Sequence, residues 1–273
     1  MICLETLKFD SMSIHHLQGH IESMYLVQYP HKLLLLDCGC RCDAGEIRSY
    51  IRHTLKRDVS QLKLCVVTHL HPDHAGGSQS LRAHTNTKIA AFKNIDRWYA
   101  GLGGFLQHKI DTYLAWWVSR KQGNQKRRVH YARLVNPDCF LDDEQTLPGF
   151  DDWTVLHTPG HTSHDICLYH RDSNVLYVGD LLVKIKEKYL PPFPVTLKVQ
   201  MQNSYTRLEA IGPKILLLAH GGPMDPACFP NFYRTLSDKI GKQQKMKFKV
   251  VGIVSYFSSE LRKIKKRKLD YHK

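Results

Sequence analysis

Residues 68–74 read THLHPDH and directly follow LKLCVV, an apolar run typical of a buried β-strand. Side chains two residues apart in an extended chain project to the same side, so His69 and His71 can reach one metal ion together. A proline then forces a bend before Asp73 and His74, which open a helix. A catalytic zinc takes three protein ligands and leaves one place for water, so four donors this close together favour two adjacent metal sites.

Three further metal donors stand just past the ends of apolar, strand-like runs. His161 follows WTVLHTPG, Asp180 follows NVLYVG, and His220 follows KILLLA. Ligands of open α/β sheets gather at the carboxyl edge of the strands, so we expect these donors to meet the first group there. The predicted metal pocket therefore contains seven side chains: His69, His71, Asp73, His74, His161, Asp180 and His220.

This ordered set of motifs resembles the metallo-β-lactamase-fold hydrolases. Their first metal motif corresponds to HLHPDH, and their later metal positions correspond to the histidine or aspartate of TPGHTSH, YVGD and LLAHGG. Their Asp-x-Gly turn after an early strand corresponds to Asp37-Cys38-Gly39. The resemblance spans about residues 20–225 and implies an α/β (α+β) fold. Specifically, it implies a four-layered αβ/βα sandwich of two mixed sheets flanked by helices, with the metals at one edge.

The resemblance also implies how the ligands divide between two metal ions. His69, His71 and His161 would hold the first ion. Asp73, His74 and His220 would hold the second, and Asp180 would bridge both. We expect zinc, although manganese and iron also suit such donors.

Two metal ions that share one water lower its pKa towards neutrality, which gives a metal-bridging hydroxide. Asp73 and Asp180 are the candidate catalytic residues, and Asp73 is a candidate for orienting that hydroxide. Asp37, Thr68 and Thr162 are candidates for fixing the histidine tautomers. His157 and His164 are interpreted as surface or supporting residues and not as ligands.

The function predicted from these features is the hydrolysis of an ester, lactone or thioester in a small molecule. The motifs are similar in style to those of the lactonases and hydroxyacylglutathione hydrolases of this superfamily. Tyr189, Phe193 and an aromatic segment within residues 98–117 could wall a pocket for an apolar acyl group. Aromatic core packing is the equally weighted alternative for them.

Three other interpretations stay open at this point. The main alternative is a metal-dependent nuclease or phosphodiesterase that acts on nucleic acid, with basic segments tracking the phosphates. An iron-based redox site is disfavoured by the complete two-metal donor set. The third interpretation is a binding module that keeps its metals only for stability.

Charge and composition predict how the chain is organised. We expect a catalytic domain over residues 1–241, with a helical insertion near residues 93–135, and a basic C-terminal segment over residues 242–273. Of a formal net charge of +14, the C-terminal segment holds eleven Lys or Arg residues against two acidic residues. Such a segment can bind nucleic acid or an anionic membrane surface, but a solvated terminus is favoured.

No apolar run is long enough to span a membrane, and the N-terminus lacks the apolar stretch of a signal peptide. A soluble cytoplasmic protein is therefore expected, with the eight cysteines reduced. The cluster at residues 38–42, CGCRC, is interpreted as a turn after a strand, because its spacing is too tight for a zinc knuckle. A homodimer is left open.

Overall fold

The computed structural model describes residues 1–240 together with Leu261 and Ile264. The N-terminal half of the chain forms a seven-stranded sheet whose strands lie side by side in chain order. Its first four strands pair antiparallel and its last four pair parallel. They are β1 Ile2–Lys8, β2 Ser13–Gln18, β3 Ser23–Gln28, β4 Leu33–Leu36, β5 Leu62–Val67, β6 Lys88–Phe92 and β7 Cys139–Leu141.

The C-terminal half forms a second, six-stranded sheet and a separate two-stranded hairpin. These strands are β8 Thr146–Leu147, β9 Phe150–His157, β10 Ile166–His170, β11 Val175–Tyr177, β12 Val183–Ile185, β13 Lys188–Leu190, β14 Ile215–Leu218 and β15 Gly222–Met224. The order in the second sheet is β15-β14-β11-β10-β9-β8, and β12 pairs with β13 in the hairpin. Only β11 and β14 run parallel in this sheet.

Six α-helices complete the described part of the chain. They are α1 Asp43–Ser49, α2 Pro72–Ala75, α3 Ser78–Thr85, α4 Gly101–Lys121, α5 Lys198–Ile211 and α6 Phe232–Lys239. A π-helical turn, Tyr50–Thr54, continues α1, and 3₁₀ turns lie at Val59–Gln61, Ile95–Arg97 and Pro226–Cys228.

The alternation of side chains along β4 explains the layering. Leu34 and Leu36 pack between the two sheets. Leu33 and Leu35 face the other way, into a cluster with residues of α1 and α3. Because successive side chains of a strand point to opposite faces, a strand that is apolar at every position must be covered on both sides.

The second sheet repeats the arrangement. On β14, Leu217 joins the cluster between the sheets, whereas Leu216 and Leu218 pack with residues of α5 and α6. The helix, sheet, sheet, helix order confirms the predicted four-layered sandwich.

Some local expectations need correction. The predicted insertion at residues 93–135 contains one long helix, α4, and residues 122–135 are neither helix nor strand. Gly123 at φ +79° and the polar run after it account for the end of α4. Strands β1 and β2 were not predicted. The domain boundary at residue 241 and the basic segment 242–273 lie outside the described residues, except that Leu261 and Ile264 pack against the cluster beneath the first sheet.

All eight cysteines are free. Cys38 and Cys40 are buried in the turn after β4, in agreement with the interpretation of that cluster as a turn. Within the described residues, no helix combines the length and apolar character needed to cross a membrane.

Gly77 should be sensitive to even a single added methyl group. Its φ of −79° suits any residue, but a Cβ there would lie 2.3 Å from the Cys38 carbonyl oxygen. We expect Gly77→Ala to lower the free energy of unfolding by about 1–3 kcal/mol through overpacking, measured by thermal or denaturant unfolding. The matched control is Gly45→Ala on α1, where a Cβ meets only an arginine side-chain atom at 3.9 Å. Equal stability of the two variants would contradict this prediction.

Candidate metal centre

The seven predicted ligands converge at one end of the two sheets. His69 and His71 leave the end of β5, and Asp73 and His74 lie in the short helix α2 that follows. His161, Asp180 and His220 follow β9, β11 and β14 of the second sheet. The centre therefore lies at the seam between the sheets, where both contribute strand ends.

Four of these residues form a first cluster. Ligand atoms of His69, His71, His161 and Asp180 all lie within 4.8 Å of one another. His71 Nδ1 lies 3.0 Å from Nε2 of His69 and 3.0 Å from Nε2 of His161. Asp180 Oδ2 lies 3.9 Å from His69 Nε2 and 3.6 Å from His161 Nε2.

The outer ring nitrogens of two of these histidines have other partners. His161 Nδ1 donates to the Pro194 carbonyl oxygen at 2.7 Å. Thr68 Oγ1 donates to Asp37, so its lone pair can accept from His69 Nδ1 at 3.2 Å. These contacts leave lone pairs on the inner nitrogens. Facing lone pairs at such distances repel unless a cation lies between them, so the donor set fits a divalent metal ion.

A second group surrounds the other oxygen of Asp180. Asp180 Oδ1 lies 3.3 Å from His74 Nε2 and 3.3 Å from His220 Nε2. Asp73 Oδ2 lies 3.5 Å from His220 Nε2. His74 Nε2 and Asp180 Oδ1 are both buried without a hydrogen-bond partner, which is the expected state of ligand atoms. The two oxygens of Asp180 thus face the two groups.

The pKa values of the predicted ligands are shifted by burial and by neighbouring charges. Burial and the neighbouring His74 lower the pKa of His69, and burial and His161 lower that of His71 to about 3, so both rings are neutral at pH 7. Burial alone would raise the pKa of Asp180, but His74 and His220 outweigh it and hold that pKa below its ordinary value. Neutral His69 and His71 are in the form that binds a metal ion. Against the effect of burial, the acidic neighbours raise the pKa of His74 and of His220, so metal binding there would displace protons.

Asp37, one of the residues expected to support the ligands, accepts four hydrogen bonds. Its donors are the backbone N–H of Thr68 at 2.7 Å, the Thr68 hydroxyl at 2.7 Å, His74 Nδ1 at 2.8 Å and the Tyr177 hydroxyl at 2.7 Å. Asp37 therefore holds the tautomer of His74 that presents Nε2 to the pocket.

The other supporting candidates have less direct roles. Thr162 donates to Asp165 and not to a metal ligand. His164 is buried and accepts the Leu70 backbone N–H at 3.0 Å, so it steadies the segment between His69 and His71. His157 stacks on Phe92 with ring centroids 4.1 Å apart.

Two carboxylates beside the site, Glu22 and Asp111, were not predicted from the sequence. Glu22 Oε2 lies 2.9 Å from His74 Nδ1, and Glu22 forms a cluster of potential metal donors with His74 and His220. Burial raises the pKa of Glu22 well above its ordinary value. It lies on the Nδ1 side of His74, away from the Nε2 atom that faces Asp180. An acidic residue just before an apolar strand carries no distinctive signal.

The second missed carboxylate, Asp111, comes from α4. Its Oδ2 lies 3.8 Å from His71 Nε2 and accepts a hydrogen bond from the Tyr99 hydroxyl at 2.8 Å. Burial raises the pKa of Asp111 to about 7. A signal was present, because Asp111 is the single acidic residue between Asp96 and Asp138.

A cavity of about 590 Å³ opens onto the centre. Its floor is formed by ligand residues, and its walls come from α4, from the hairpin β12–β13 and from residues 192–194. The wall includes Leu114, Val118 and Phe193, with Lys184 and Lys186 on the hairpin. This volume lies in the range of small-molecule sites.

Of the two aromatic residues expected to wall a pocket, Phe193 lines the cavity, whereas Tyr189 packs with Phe229 and Phe232.

The family model and the similar proteins all point to one superfamily. The sequence model described as "Metallo-beta-lactamase superfamily" matches residues 17–220. The probable metallo-hydrolase YflN of Bacillus subtilis is 23% identical over 243 residues, which cover 83% of this chain and 90% of that protein. The acyl-coenzyme A thioesterase MBLAC2 of Gallus gallus is 29% identical over 127 residues, which cover 44% of this chain and 41% of that protein.

A solved metallo-beta-lactamase from Pontibacter korlensis superposes with a TM-score of 0.58 at 19% identity. The superposition covers 88% of this chain and 99% of that one. At this identity the likeness bears on the fold alone, which it confirms.

Removing the charge of Asp37 should weaken metal binding while leaving every ligand in place. In Asp37→Asn, a neutral amide replaces the carboxylate that accepts from His74, so the ring loses its charged Asp37 partner and keeps only Glu22 beside Nδ1. We expect zinc affinity to fall about 10–100-fold, measured by competition with a chromophoric chelator. Asp151→Asn, at an exposed position on β9, is the control, and circular dichroism checks that both variants fold. Unchanged zinc affinity in Asp37→Asn would show that Asp37 does not orient His74.

Proposed function

The chain belongs to the metallo-β-lactamase superfamily of metal-dependent hydrolases, and from this premise we propose that it uses two divalent metal ions to cleave an ester, lactone or thioester bond in a small molecule. Zinc is the expected metal. The observation that carries the proposal is that five of the seven predicted ligands line a cavity of small-molecule size: His71, Asp73, His161, Asp180 and His220.

Each ion has its own set of donors in this proposal. His69, His71 and His161 would hold one ion. Asp73, His74 and His220 would hold the other, with Asp180 between the two groups of donors. Bound divalent ions would lower the pKa of a water molecule and polarise the bond to be cleaved.

The chain's own residues bind and orient the substrate. Leu114, Val118 and Phe193 give the cavity an apolar wall that would contact an acyl group and exclude water from it. Lys184 and Lys186 offer positive charge to an anionic part of the substrate. Asp111 holds its hydrogen bond from Tyr99 at the cavity wall, where it faces His71.

A thioester is the first bond to test among the three. The chicken relative is named as an acyl-coenzyme A thioesterase. An acyl-coenzyme A joins an apolar acyl chain to an anionic carrier, which suits an apolar wall with lysines beside it. Zinc as the metal, a lactonase-like specificity and a cytoplasmic location remain predictions from the sequence.

Asp180→Asn tests the proposal, because it removes the carboxylate that faces both groups of donors. We expect the zinc-loaded wild type to turn over at least one of a panel of thioesters, lactones and carboxylic esters. We expect Asp180→Asn to lower kcat/KM at least about a hundredfold. Mutation of a residue that only hydrogen-bonds to a metal ligand already lowers metal affinity or activity about 10–100-fold. The control is Asp172→Asn, the same change at an exposed turn.

Two outcomes would overturn the proposal. Turnover that is the same in Asp180→Asn and the wild type would remove Asp180 from the mechanism. Cleavage of RNA or phosphodiesters in place of the panel, with binding that falls steeply with salt, would establish the nuclease alternative.

A further inference from the structure

The outer surface of α4 is apolar. Six large side chains on this helix are between 38% and 86% exposed, and they recur at helical spacing on one face. We call this surface the α4 stripe, and its members are Leu102, Phe105, Leu106, Tyr113, Trp116 and Trp117.

The inner face of the same helix mixes polar and apolar residues. Gln107, His108 and Ser119 are buried beside Ala115, and Asp111 faces the cavity. The helix therefore differs from an ordinary surface helix, whose exposed face is polar. Contiguous exposed apolar surface on a protein marks an interaction site more often than chance.

Positive charge accompanies the α4 stripe. Lys109 Nζ lies 5.3 Å from the Phe105 ring centroid, and Lys121 Nζ lies 5.6 Å from that of Trp117. The Arg133 guanidinium lies 5.9 Å from the Phe105 ring. The one carboxylate of α4, Asp111, points away into the cavity, so the exposed surface is both apolar and cationic.

We propose that the α4 stripe docks the protein on an anionic lipid membrane, with α4 lying in the plane of the surface. Tryptophan and tyrosine side chains favour the level of the lipid headgroups, and lysine and arginine beside them attract anionic lipids. At about 30 Å, the 21-residue helix offers a long contact line.

The positive charge beside the α4 stripe favours an anionic membrane over a second copy of the chain or a nucleic acid. Two copies of the chain that met through the α4 stripe would bring Lys109, Lys121 and Arg133 of each close to those of the other, which is unfavourable. Nucleic acid would satisfy the cations, but it prefers polar surfaces and would leave Leu102 and Leu106 without apolar contacts. An anionic bilayer satisfies both properties.

Docking in this way would bring the cavity to the membrane. Trp117 belongs to the α4 stripe and also lines the cavity, and Ile185 on the opposite wall is 55% exposed. A substrate with an apolar chain could then enter from the lipid. This last consequence rests on the proposed function, whereas the docking itself does not.

Vesicle binding by the full chain tests the proposal. We expect it to sediment with phosphatidylcholine vesicles that contain phosphatidylglycerol, and to do so more weakly with phosphatidylcholine alone. The double variant Leu106→Glu/Trp116→Glu should bind at least about tenfold more weakly, since it adds two charges that anionic lipid repels. Neither residue lines the cavity. Val199→Glu, at a 56% exposed position on α5, is the matched control and should bind as the wild type does.

A second measurement separates the α4 stripe from the basic C-terminal segment. Trp98 and Trp153 are buried, so quenching of tryptophan fluorescence by brominated lipids reports on Trp116 and Trp117. Quenching in the wild type, with unchanged thermal midpoints in all variants, would support docking through α4. Absence of vesicle binding, equal binding by the double variant, or binding without quenching would overturn the proposal. So would a dimer that the double variant abolishes in the absence of lipid.

Discussion

The carboxylate of Asp37 ties the metal centre to both sheets. It lies just after β4, accepts hydrogen bonds from Thr68 at the end of β5 and from His74 in α2, and accepts another from Tyr177 on the second sheet. Asp37 itself has φ +58°, a backbone conformation that costs free energy for a residue other than glycine. Four hydrogen bonds to one buried carboxylate can offset that cost, because bonds to a charged group are the stronger ones.

Crowding of carboxylates distinguishes the candidate metal centre from an ordinary buried network. Asp73, Asp180 and Asp37 lie close together, and among the described residues they form ion pairs with histidines and with no lysine or arginine. Buried carboxylates need compensating positive charge. Two divalent cations would supply it and would also occupy the space between the facing histidine nitrogens.

The strands that carry the site and the seven predicted ligands were predictable from local sequence. The segments that form β4, β5 and β14 are short apolar runs in the sequence, and each donor that follows a strand end has a defined place at the edge of the sheet. Contacts between distant segments were not predictable. Glu22 and Asp111 reach the site from a strand start and from an inserted helix, and although Asp111 is the single acidic residue of its segment, the sequence does not say that the segment meets the metal ligands. The α4 stripe was not predicted because the apolar face of a helix ordinarily packs on the core.

Diffraction at the zinc absorption edge from crystals grown with zinc would show how many ions the site holds and which residues bind them. We expect two anomalous peaks, one on each side of the Asp180 carboxylate. The first should lie against His69, His71 and His161, and the second against Asp73, His74 and His220. A single peak would contradict the two-metal centre. A second zinc ion bound by Glu22 and by Nδ1 of His74 would contradict the division of ligands and the role of Asp37.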